Sequence, residues 1–193
     1  MFTETTLRTA RLILRPFDAS DIEETRASCA DPLIQRWLPL PQPCTREDAA
    51  AWCTKIAHSL RESGDGIHFA VTEAGTGRPA GTTGLKRTDW AARVSEVGYW
   101  VSAWARGRGT ATEATREVGR RLLTEQGFER LEVRAATQNA ASRKVALKAG
   151  TRHEGVLRNA GFVHAGRIDL DLFSLVPGDL AATDDGREER PAT

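Results

Sequence analysis

The chain has 193 residues and a mass of 21.1 kDa, and its 27 Lys and Arg against 26 Asp and Glu give a formal net charge of +1. This length suits one compact domain with a substantial core. The near-zero charge argues against a uniformly basic surface that holds nucleic acid. Because no apolar run could span a bilayer and residues 1–15 lack the pattern of a secretory signal, we expect a cytoplasmic protein with no membrane or nucleic-acid partner.

The cysteines and histidines indicate neither a disulfide framework nor a metal site. Cys29, Cys44 and Cys53 are odd in number and form no CxxC pair. The four histidines are scattered without the spacing of metal ligands. We therefore expect reduced, inert thiols and no bound metal.

The chain begins with a predicted strand and a predicted helix. Residues 11–17 partly alternate apolar and charged side chains, which predicts a strand. Ser20 followed by Glu23 matches the capping-box pattern and predicts the start of a short helix. A long irregular loop that carries Trp37 should follow, because it contains four prolines that disfavour regular structure, namely Pro32, Pro39, Pro41 and Pro43.

A second helix and a hairpin are predicted next. Thr45 and Asp48 resemble a helix start, and apolar residues recur at helical spacing over 46–60. Residues 67–71 and 80–85 predict two strands. The short, glycine-bearing connection between these strands predicts that they pair antiparallel.

The second half of the chain alternates strands and helices. Its predicted elements are, in order, a strand at 94–102, a helix from Ala111 to about Gln126, a strand at 131–135, a helix that is capped by Asn139 and runs to Ala149, and strands near 151–157 and 167–176. This order indicates the α+β class, with a mixed, mostly antiparallel central sheet flanked by helices. We expect one domain over 1–177 and a disordered tail over 178–193, which is rich in charged residues.

The turn between the strand at 94–102 and the next helix carries the clearest chemical signal. Gly107 and Gly109 have no side chains, so the backbone N–H groups can approach a ligand closely. These groups open a helix, where unpaired donors and the helix dipole attract an anion, and Arg106 and Arg108 add positive charge. The pattern fits a pyrophosphate. A plain glycine helix start with solvated arginines is the alternative.

Two common phosphate-binding motifs are excluded. The chain has no Gly-Lys-Ser/Thr sequence and therefore no Walker loop. Thr112 stands where a dinucleotide fingerprint needs its third glycine. The upstream strands also pair as hairpins, whereas that fold needs a parallel crossover.

Several motifs surround this turn in a fixed order. They are the opening residues 7–15, Glu96-Val97-Gly98-Tyr99-Trp100, Asn139-Ala140-Ala141-Ser142, Lys148-Ala149-Gly150 and Glu154-Gly155. The turn itself, residues 106–111, matches the signature Arg/Gln-x-x-Gly-x-Gly/Ala. Together they resemble the GNAT superfamily of N-acetyltransferases and, within it, the RimJ/RimL-like branch. The resemblance covers nearly the whole chain up to about Pro177.

The resemblance implies a single GNAT-like domain with splayed central strands and with acetyl-CoA as cosubstrate. In this family the amides of the turn hold the pyrophosphate of CoA, while pantetheine inserts between the splayed strands and pairs with their backbone. Asn139 and Ser142 match positions that line the pantetheine and the thioester. The implied cofactor-binding residues are Trp100, Val101, Ser102, Arg106, Gly107, Arg108, Gly109, Thr110, Ala111, Asn139 and Ser142.

Glu96 is the candidate general base. A lysine-like acceptor amine has a pKa of about 10, so it must lose a proton before it attacks a thioester. Glu96 lies on the strand that leads to the turn, where the resemblance places a carboxylate base in some relatives. The alternative is a solvent-facing strand residue paired with an arginine. A strand amide near Val101 is the candidate donor to the oxyanion.

Two departures from the family leave both the general acid and the general base open. Many relatives carry a tyrosine four residues after the position of Ser142, but Ala146 stands there in this chain. Some RimL-like enzymes place a glutamate base in a later segment, and the matching residues 158–161 contain no carboxylate. Ser142 is the remaining candidate acid, with capping or a hydrogen bond to pantetheine as its alternative.

The expected acceptor is a primary amine, either a protein N-terminus or a small molecule. Trp37 and Tyr99 are the candidates for contact with it, although a tryptophan that only anchors its loop is an alternative for Trp37. A CoA-binding module with weak or no catalysis is the alternative function, since the family's tyrosine and glutamate are absent. An edge strand near the C-terminus could also pair in a homodimer.

Overall fold

The computed structural model, which describes residues 1–180, is built on an eight-stranded sheet. Its strands are β1 (Leu7–Arg8), β2 (Leu12–Arg15), β3 (Ile67–Glu73), β4 (Pro79–Asp89), β5 (Val94–Val101), β6 (Arg130–Ala136), β7 (Arg152–Val163) and β8 (Gly166–Leu175). They lie side by side in the order β1-β2-β3-β4-β5-β6-β8-β7. The expected mixed, mostly antiparallel sheet is confirmed, because β5 and β6 are the only strands within residues 1–180 that pair in parallel.

Helices cover both faces of this sheet. They are α1 (Ile22–Cys29), α2 (Pro32–Trp37), α3 (Arg46–Ala51), α4 (Ala57–Ser63), α5 (Thr110–Thr124) and α6 (Ala140–Lys148). A π-helical segment, Trp52–Ile56, joins α3 to α4. The parallel pairing of β5 with β6 requires a crossover between them, and α5 supplies it.

The two faces of the sheet have separate apolar cores. Alternation along β5 and β6 sends Val97 and Val133 to the face of α5, where Val118 and Leu122 are also buried. Burial of a side chain such as Leu122 contributes about 1.5–3 kcal/mol. The opposite face, under α1, α3 and α4, holds a smaller cluster of Phe17, Ile22, Ala49, Cys53, Ala57 and Ala70.

The pairing of β5 with β6 stops partway along both strands. The last pair is Val97 with Val133, yet β5 continues to Val101. Beyond that pair, β6 is bonded on its other side to β8. The edge of β5 from Gly98 to Val101 therefore faces a gap, which is the splay implied by the sequence resemblance.

The front half of the chain differs from the sequence predictions at two places. The first proline of the predicted loop begins α2, because Pro32 occupies the first helical position, where a missing N–H costs nothing. Asp31 caps that helix by accepting from the N–H groups of Leu33 and Ile34. The first capping box is also shifted, since Asp18 and Asp21 form it and not Ser20 and Glu23.

The later helix starts match the predictions. Thr45 and Asp48 form a capping box at α3, and Asn139 caps α6 through its side chain. Gly127, which follows α5, has a φ of +67°, as expected for a glycine that ends a helix. The helix predicted over 46–60 is interrupted by the π-helical segment and continues to Ser63.

The C-terminal end of the described part is anchored to the sheet. Asp179 is buried, and its Oδ1 lies 2.8 Å from Nη2 of Arg152. Residues 181–193, which make up most of the predicted tail, lie outside the described residues, and the boundary predicted at 177 remains a prediction. Among residues 1–180, no helix is both long enough and apolar enough to cross a membrane. The three cysteines are free and buried.

Candidate active site

The start of α5 is a cradle of backbone N–H groups. Gly107 and Gly109 have φ values of +75° and +80°, in the left-handed region that favours glycine. Within residues 1–180, no hydrogen bond uses the N–H groups of residues 107–111 as donors, so the amides of Thr110 and Ala111 are also unpaired. A Cβ built on Gly107 would meet nothing within 4 Å. Free donors, open space and a helix dipole fit the predicted diphosphate.

The turn between β1 and β2 holds this cradle in place. Arg11 donates through Nη1 to the carbonyl of Arg108 at 2.9 Å and through Nε to Glu113 Oε2 at 2.7 Å. Thr9 donates to the other carboxylate oxygen of Glu113 at 2.5 Å. Burial raises the pKa of Glu113, but the hydrogen bonds from Thr9 and Arg11 outweigh burial and hold it below its usual value. The Arg11 guanidinium, which the sequence analysis did not single out, thus lies beside Gly109.

Arg106 ties the cradle to α2. Its Nη2 lies 2.7 Å from Asp31 Oδ1, and its Nε donates to the carbonyl of Val101 at 3.3 Å. The Arg106 guanidinium holds the pKa of Asp31 below its usual value. Because Asp31 caps α2, this ion pair joins the cradle to the helix that ends at Trp37. The Arg106 side chain is therefore engaged within the protein, whereas that of Arg108 is exposed.

The residues predicted to pair with pantetheine lie along the gap, but Ser102 is already bonded. The N–H of Ser102 donates to the carbonyl of Ala80, and its hydroxyl lies 3.3 Å from that of Ser28. Trp100 and Val101 are half-buried and pair with β4 on one side only. Backbone contact of Trp100 and Val101 with pantetheine, and the oxyanion donor near Val101, remain predictions.

The structure brings Tyr99, Asn139 and Ser142 together across the gap. Asn139 Oδ1 accepts from the N–H of Ser142 at 3.1 Å, which places the serine in the first turn of α6. The hydroxyl of Tyr99 lies 3.1 Å from both the carbonyl oxygen and the hydroxyl of Ser142. Burial raises the pKa of Tyr99 to about 12, against the opposing effect of the Ser142 hydrogen bond. Ala146, the position of the family's tyrosine, is fully buried.

Glu96 lies on the opposite face of β5 from Tyr99, next to the last pair before the gap. It is buried, and its Oε1 lies 3.0 Å from Lys86 Nζ. Its Oε2 lies 3.0 Å from Arg87 Nη1 and 3.5 Å from Arg134 Nε. Glu96 is thus paired with arginines, as in the alternative interpretation, but it does not face solvent. Its role as a base remains a prediction.

A glycine floor, formed by Gly84 and Gly98, lies beside Glu96 on this face. The two glycines pair directly across β4 and β5, and Gly84 pairs with His68 of β3. A Cβ at Gly98 would lie 3.3 Å from Lys86 Cε. Burial, aided by the charge of Lys86, lowers the pKa of His68 to about 4, so its imidazole is neutral near pH 7. No local pattern in the sequence indicates a role for His68 or Lys86.

Two features of the predicted acceptor side can be located in the structure, namely Trp37 and the segment 158–161. Trp37 ends α2 and is half-buried, and the guanidinium carbon of Arg36 lies 4.8 Å from its ring centroid. Contact of Trp37 and Tyr99 with an acceptor remains a prediction. The segment 158–161 does meet a carboxylate, because Asp169 Oδ1 accepts from the N–H of Asn159 at 2.7 Å. Asp169 comes from β8, and no local pattern in the sequence points to it.

Comparison with known proteins agrees with this geometry. A family model described as an acetyltransferase (GNAT) domain matches residues 11–152. The uncharacterized N-acetyltransferase YoaA of Bacillus subtilis is 28% identical over 170 residues, which cover 88% of this chain and 96% of that protein.

Two solved structures share the fold. The microcin C7 self-immunity acetyltransferase MccE, in complex with acetyl-CoA and AMP, superimposes with a TM-score of 0.79 at 19% identity, covering 87% of this chain and 93% of that one. RimL, a ribosomal L7/L12 α-N-protein acetyltransferase in complex with coenzyme A, gives a TM-score of 0.80 at 17% identity, covering 89% and 98%. The family model spans well over half of the chain, so the chain belongs to the GNAT family of acetyltransferases.

Proposed function

We propose that this protein is an acetyl-CoA-dependent N-acetyltransferase that moves an acetyl group to a primary amine by direct attack in a ternary complex. The observation that carries the proposal is the cradle of unpaired N–H groups at residues 107–111, beside an edge of β5 that has no strand partner. The cradle suits a diphosphate, and the open edge suits an extended arm with amide groups. Acetyl-CoA has both, and it supplies an activated thioester.

The chain's own residues then have distinct tasks. The amides of residues 107–111 hold the diphosphate, with Arg11 and Arg108 adding positive charge nearby. Glu96 takes the proton of the acceptor amine, directly or through a water, from the face that carries the glycine floor. Ser142 donates a hydrogen bond to the leaving sulfur from the start of α6. Positioning of the amine supplies much of the remaining rate.

The acceptor is the least defined partner. The name of RimL describes an acetyltransferase of a protein N-terminus, and that of MccE describes a self-immunity enzyme. We therefore keep two acceptor classes, protein N-termini and small-molecule amines. A homodimer and a cytoplasmic location remain predictions. The absence of a hydroxyl at Ala146 keeps a second function open, namely a CoA-binding module without turnover.

The melting temperature of the purified protein tests whether the protein binds acetyl-CoA. Acetyl-CoA at saturating concentration should raise it, because a ligand that binds only the folded state stabilises that state. ADP should do so less, since it offers the diphosphate without the pantetheine arm. No rise with acetyl-CoA would overturn the proposal.

Thiol release with a panel of amines separates the enzyme from the CoA-binding module. The panel contains peptides with free N-termini, the same peptides blocked at the N-terminus, and small polyamines. Release that requires a free amine supports the transferase. A thermal shift with no release above the rate without amine supports the module.

Replacement of Glu96 tests the proposed base. Glu96→Gln should lower kcat by about 10²-fold or more, which is the usual contribution of general base catalysis. Glu132→Gln is the matched control, because Glu132 lies directly opposite on β6 and also pairs with Arg134. Equal losses in the two variants would indicate a shared electrostatic role and remove Glu96 from the mechanism. Asp169→Asn in the same assay tests whether the carboxylate of Asp169, which meets the segment 158–161, acts as the base in place of Glu96.

A further inference from the structure

The hydroxyls of Tyr99 and Ser142 form a contact that spans the gap between the splayed strands. Tyr99 belongs to the part of β5 that lacks a partner on β6, and Ser142 belongs to the helix that follows β6. The Tyr99 oxygen lies 3.1 Å from the Ser142 hydroxyl and 3.1 Å from its carbonyl oxygen. Tyr99 is predicted to contact the acceptor, but its hydroxyl is engaged on the side of α6.

The number of protons in this pair allows two arrangements. Tyr99 has one O–H and cannot donate to both oxygens of Ser142 at once. If Tyr99 donates to the carbonyl, the Ser142 hydroxyl can donate back to Tyr99. If Tyr99 donates to the Ser142 hydroxyl, the proton of Ser142 is free to point into the gap. The pair can therefore switch between a closed state and a state that offers a donor.

We infer that Tyr99 is a positioning residue that makes Ser142 the hydrogen-bond donor to the sulfur of CoA. This inference rests on the proposed function and deepens it. As the C–S bond breaks, its electron pair stays on the sulfur. The Ser142 O–H donates to that sulfur, and the Tyr99 O–H donates to the Ser142 oxygen. No proton leaves either side chain, and the thiolate is protonated later by solvent.

Four physical features favour this chain of donors. A serine hydroxyl that accepts one hydrogen bond becomes a better donor for the next, because the bonds polarise one another. The N-terminal end of α6 carries a partial positive charge, which stabilises a nearby thiolate. The raised pKa of Tyr99, about 12, keeps its hydroxyl protonated near neutral pH. Ala146, which is small and fully buried, provides no competing hydroxyl.

A double-mutant cycle tests the dependence of Tyr99 on Ser142. Tyr99→Phe retains the ring and removes only the hydroxyl, and we expect kcat to fall by about tenfold with little change in the KM for acetyl-CoA. Ser142→Ala should cost at least as much. The double variant should be no slower than Ser142→Ala alone, because Tyr99 acts through Ser142. Independent, multiplicative losses, or an unchanged kcat in Tyr99→Phe, would overturn the inference.

A second readout needs no turnover and no mutation of Tyr99. Tyr99 is the only tyrosine among the 193 residues, so protein labelled with 3-fluorotyrosine gives a single ¹⁹F resonance from this site. CoA should move this resonance, and desulfo-CoA, which lacks the sulfur, should move it less. In Ser142→Ala the two ligands should give the same shift.

The outcomes separate this inference from the proposed function. Equal ¹⁹F shifts for CoA and desulfo-CoA in the wild-type protein, with both ligands raising the melting temperature, would overturn the role of Tyr99 and leave CoA binding intact. No ¹⁹F change and no thermal shift with CoA would contradict the proposed function, and the inference with it.

Discussion

Two helices begin at the gap between β5 and β6, and they differ in whether a side chain accepts hydrogen bonds from their N-terminal N–H groups. At α6, Asn139 accepts from the N–H of Ser142, so the helix start is capped from within the chain. At α5, Gly109 occupies the capping position and offers no side chain. A glycine in place of a capping side chain ordinarily costs only about a few tenths of a kcal/mol. The uncapped start is the one with donors available to a ligand, whereas the capped start fixes the position of a hydroxyl.

The two helix starts also differ in the residues that hold them in place. The start of α6 depends on one residue adjacent to it in sequence. The start of α5 is held by Arg11 and Thr9, which bond to Glu113 from the distant β1–β2 turn. A cradle for an anion cannot use its own N–H groups for support, so it is held through carbonyls and side chains instead. The following substitutions test this division, beginning with the largest expected effect.

Filling the cradle should abolish the binding of acetyl-CoA. Gly107→Val places a side chain where the turn now has open space, and we expect the affinity to fall by at least ~100-fold, because several hydrogen bonds to a charged group are lost. Isothermal titration calorimetry measures the change. Gly77→Val is the matched control, since Gly77 has a φ of +71° and a Cβ added there would also meet nothing within 4 Å.

Both variants carry the strain of a branched residue at positive φ, about 1–2 kcal/mol. They should therefore lose similar stability, and only Gly107→Val should lose acetyl-CoA. Equal affinity in the two variants would show that the cradle is not the binding site.

Removing the Arg11 cation, which lies beside Gly109, should weaken binding without abolishing it. Arg11→Met keeps a long side chain but loses the bonds to Arg108 and Glu113, and we expect roughly tenfold weaker binding of acetyl-CoA, with a loss that shrinks at high salt. Arg46→Met is the control, because Arg46 makes a similar exposed ion pair with Glu23 at the start of α3. A loss of equal size in the control would contradict a local role for Arg11.

Removing the cap of α6 should affect stability directly. Asn139→Ala should lower the free energy of unfolding by about 1 kcal/mol, measured by urea titration, because the N–H of Ser142 loses its partner. Asn139→Ser should retain most of the free energy of unfolding that Asn139→Ala loses, since serine also caps helices well. If both variants lose the same stability, the role of Asn139 is not that of a cap.

The smallest expected effect concerns the pH dependence of the α5 start. The pKa of Glu113 is held below its usual value of 4.5, so the carboxylate stabilises the fold above pH 4.5, and this contribution is lost as the pH falls further. Glu113→Gln should lower the melting temperature slightly at pH 7, and the difference from wild type should narrow below pH 4.5. A constant difference down to pH 3 would exclude the ionised carboxylate as the cause.

The sequence predicts features whose interacting residues lie close together along the chain, and it does not predict contacts between residues that are far apart in sequence. The Gly107–Gly109 turn and the Asn139 cap follow from residues within one helical turn, and both were predicted. Other contacts join residues on different strands and helices, and no local pattern predicts them. Examples are the ion pairs around Glu96 and the bond of Arg11 to Glu113. Pro32 misled the prediction because a proline at the first helical turn is compatible with a helix.

The resemblance to a family supplied what local patterns could not. It placed a gap between the central strands, and the pairing of β5 with β6 does end at Val97. It could not indicate which side chain lies near Ser142 in a chain that lacks the family's tyrosine. Only the fold shows that Tyr99, from a neighbouring strand, brings a hydroxyl to Ser142.

The ion pair of Arg106 with Asp31 joins two segments that are far apart in sequence, the turn before α5 and the start of α2. The same guanidinium donates to the carbonyl of Val101 at the end of β5. One side chain therefore ties the cradle, the open edge of β5 and the helix that ends at Trp37 into a single unit, so that a displacement of one of them is resisted by the other two.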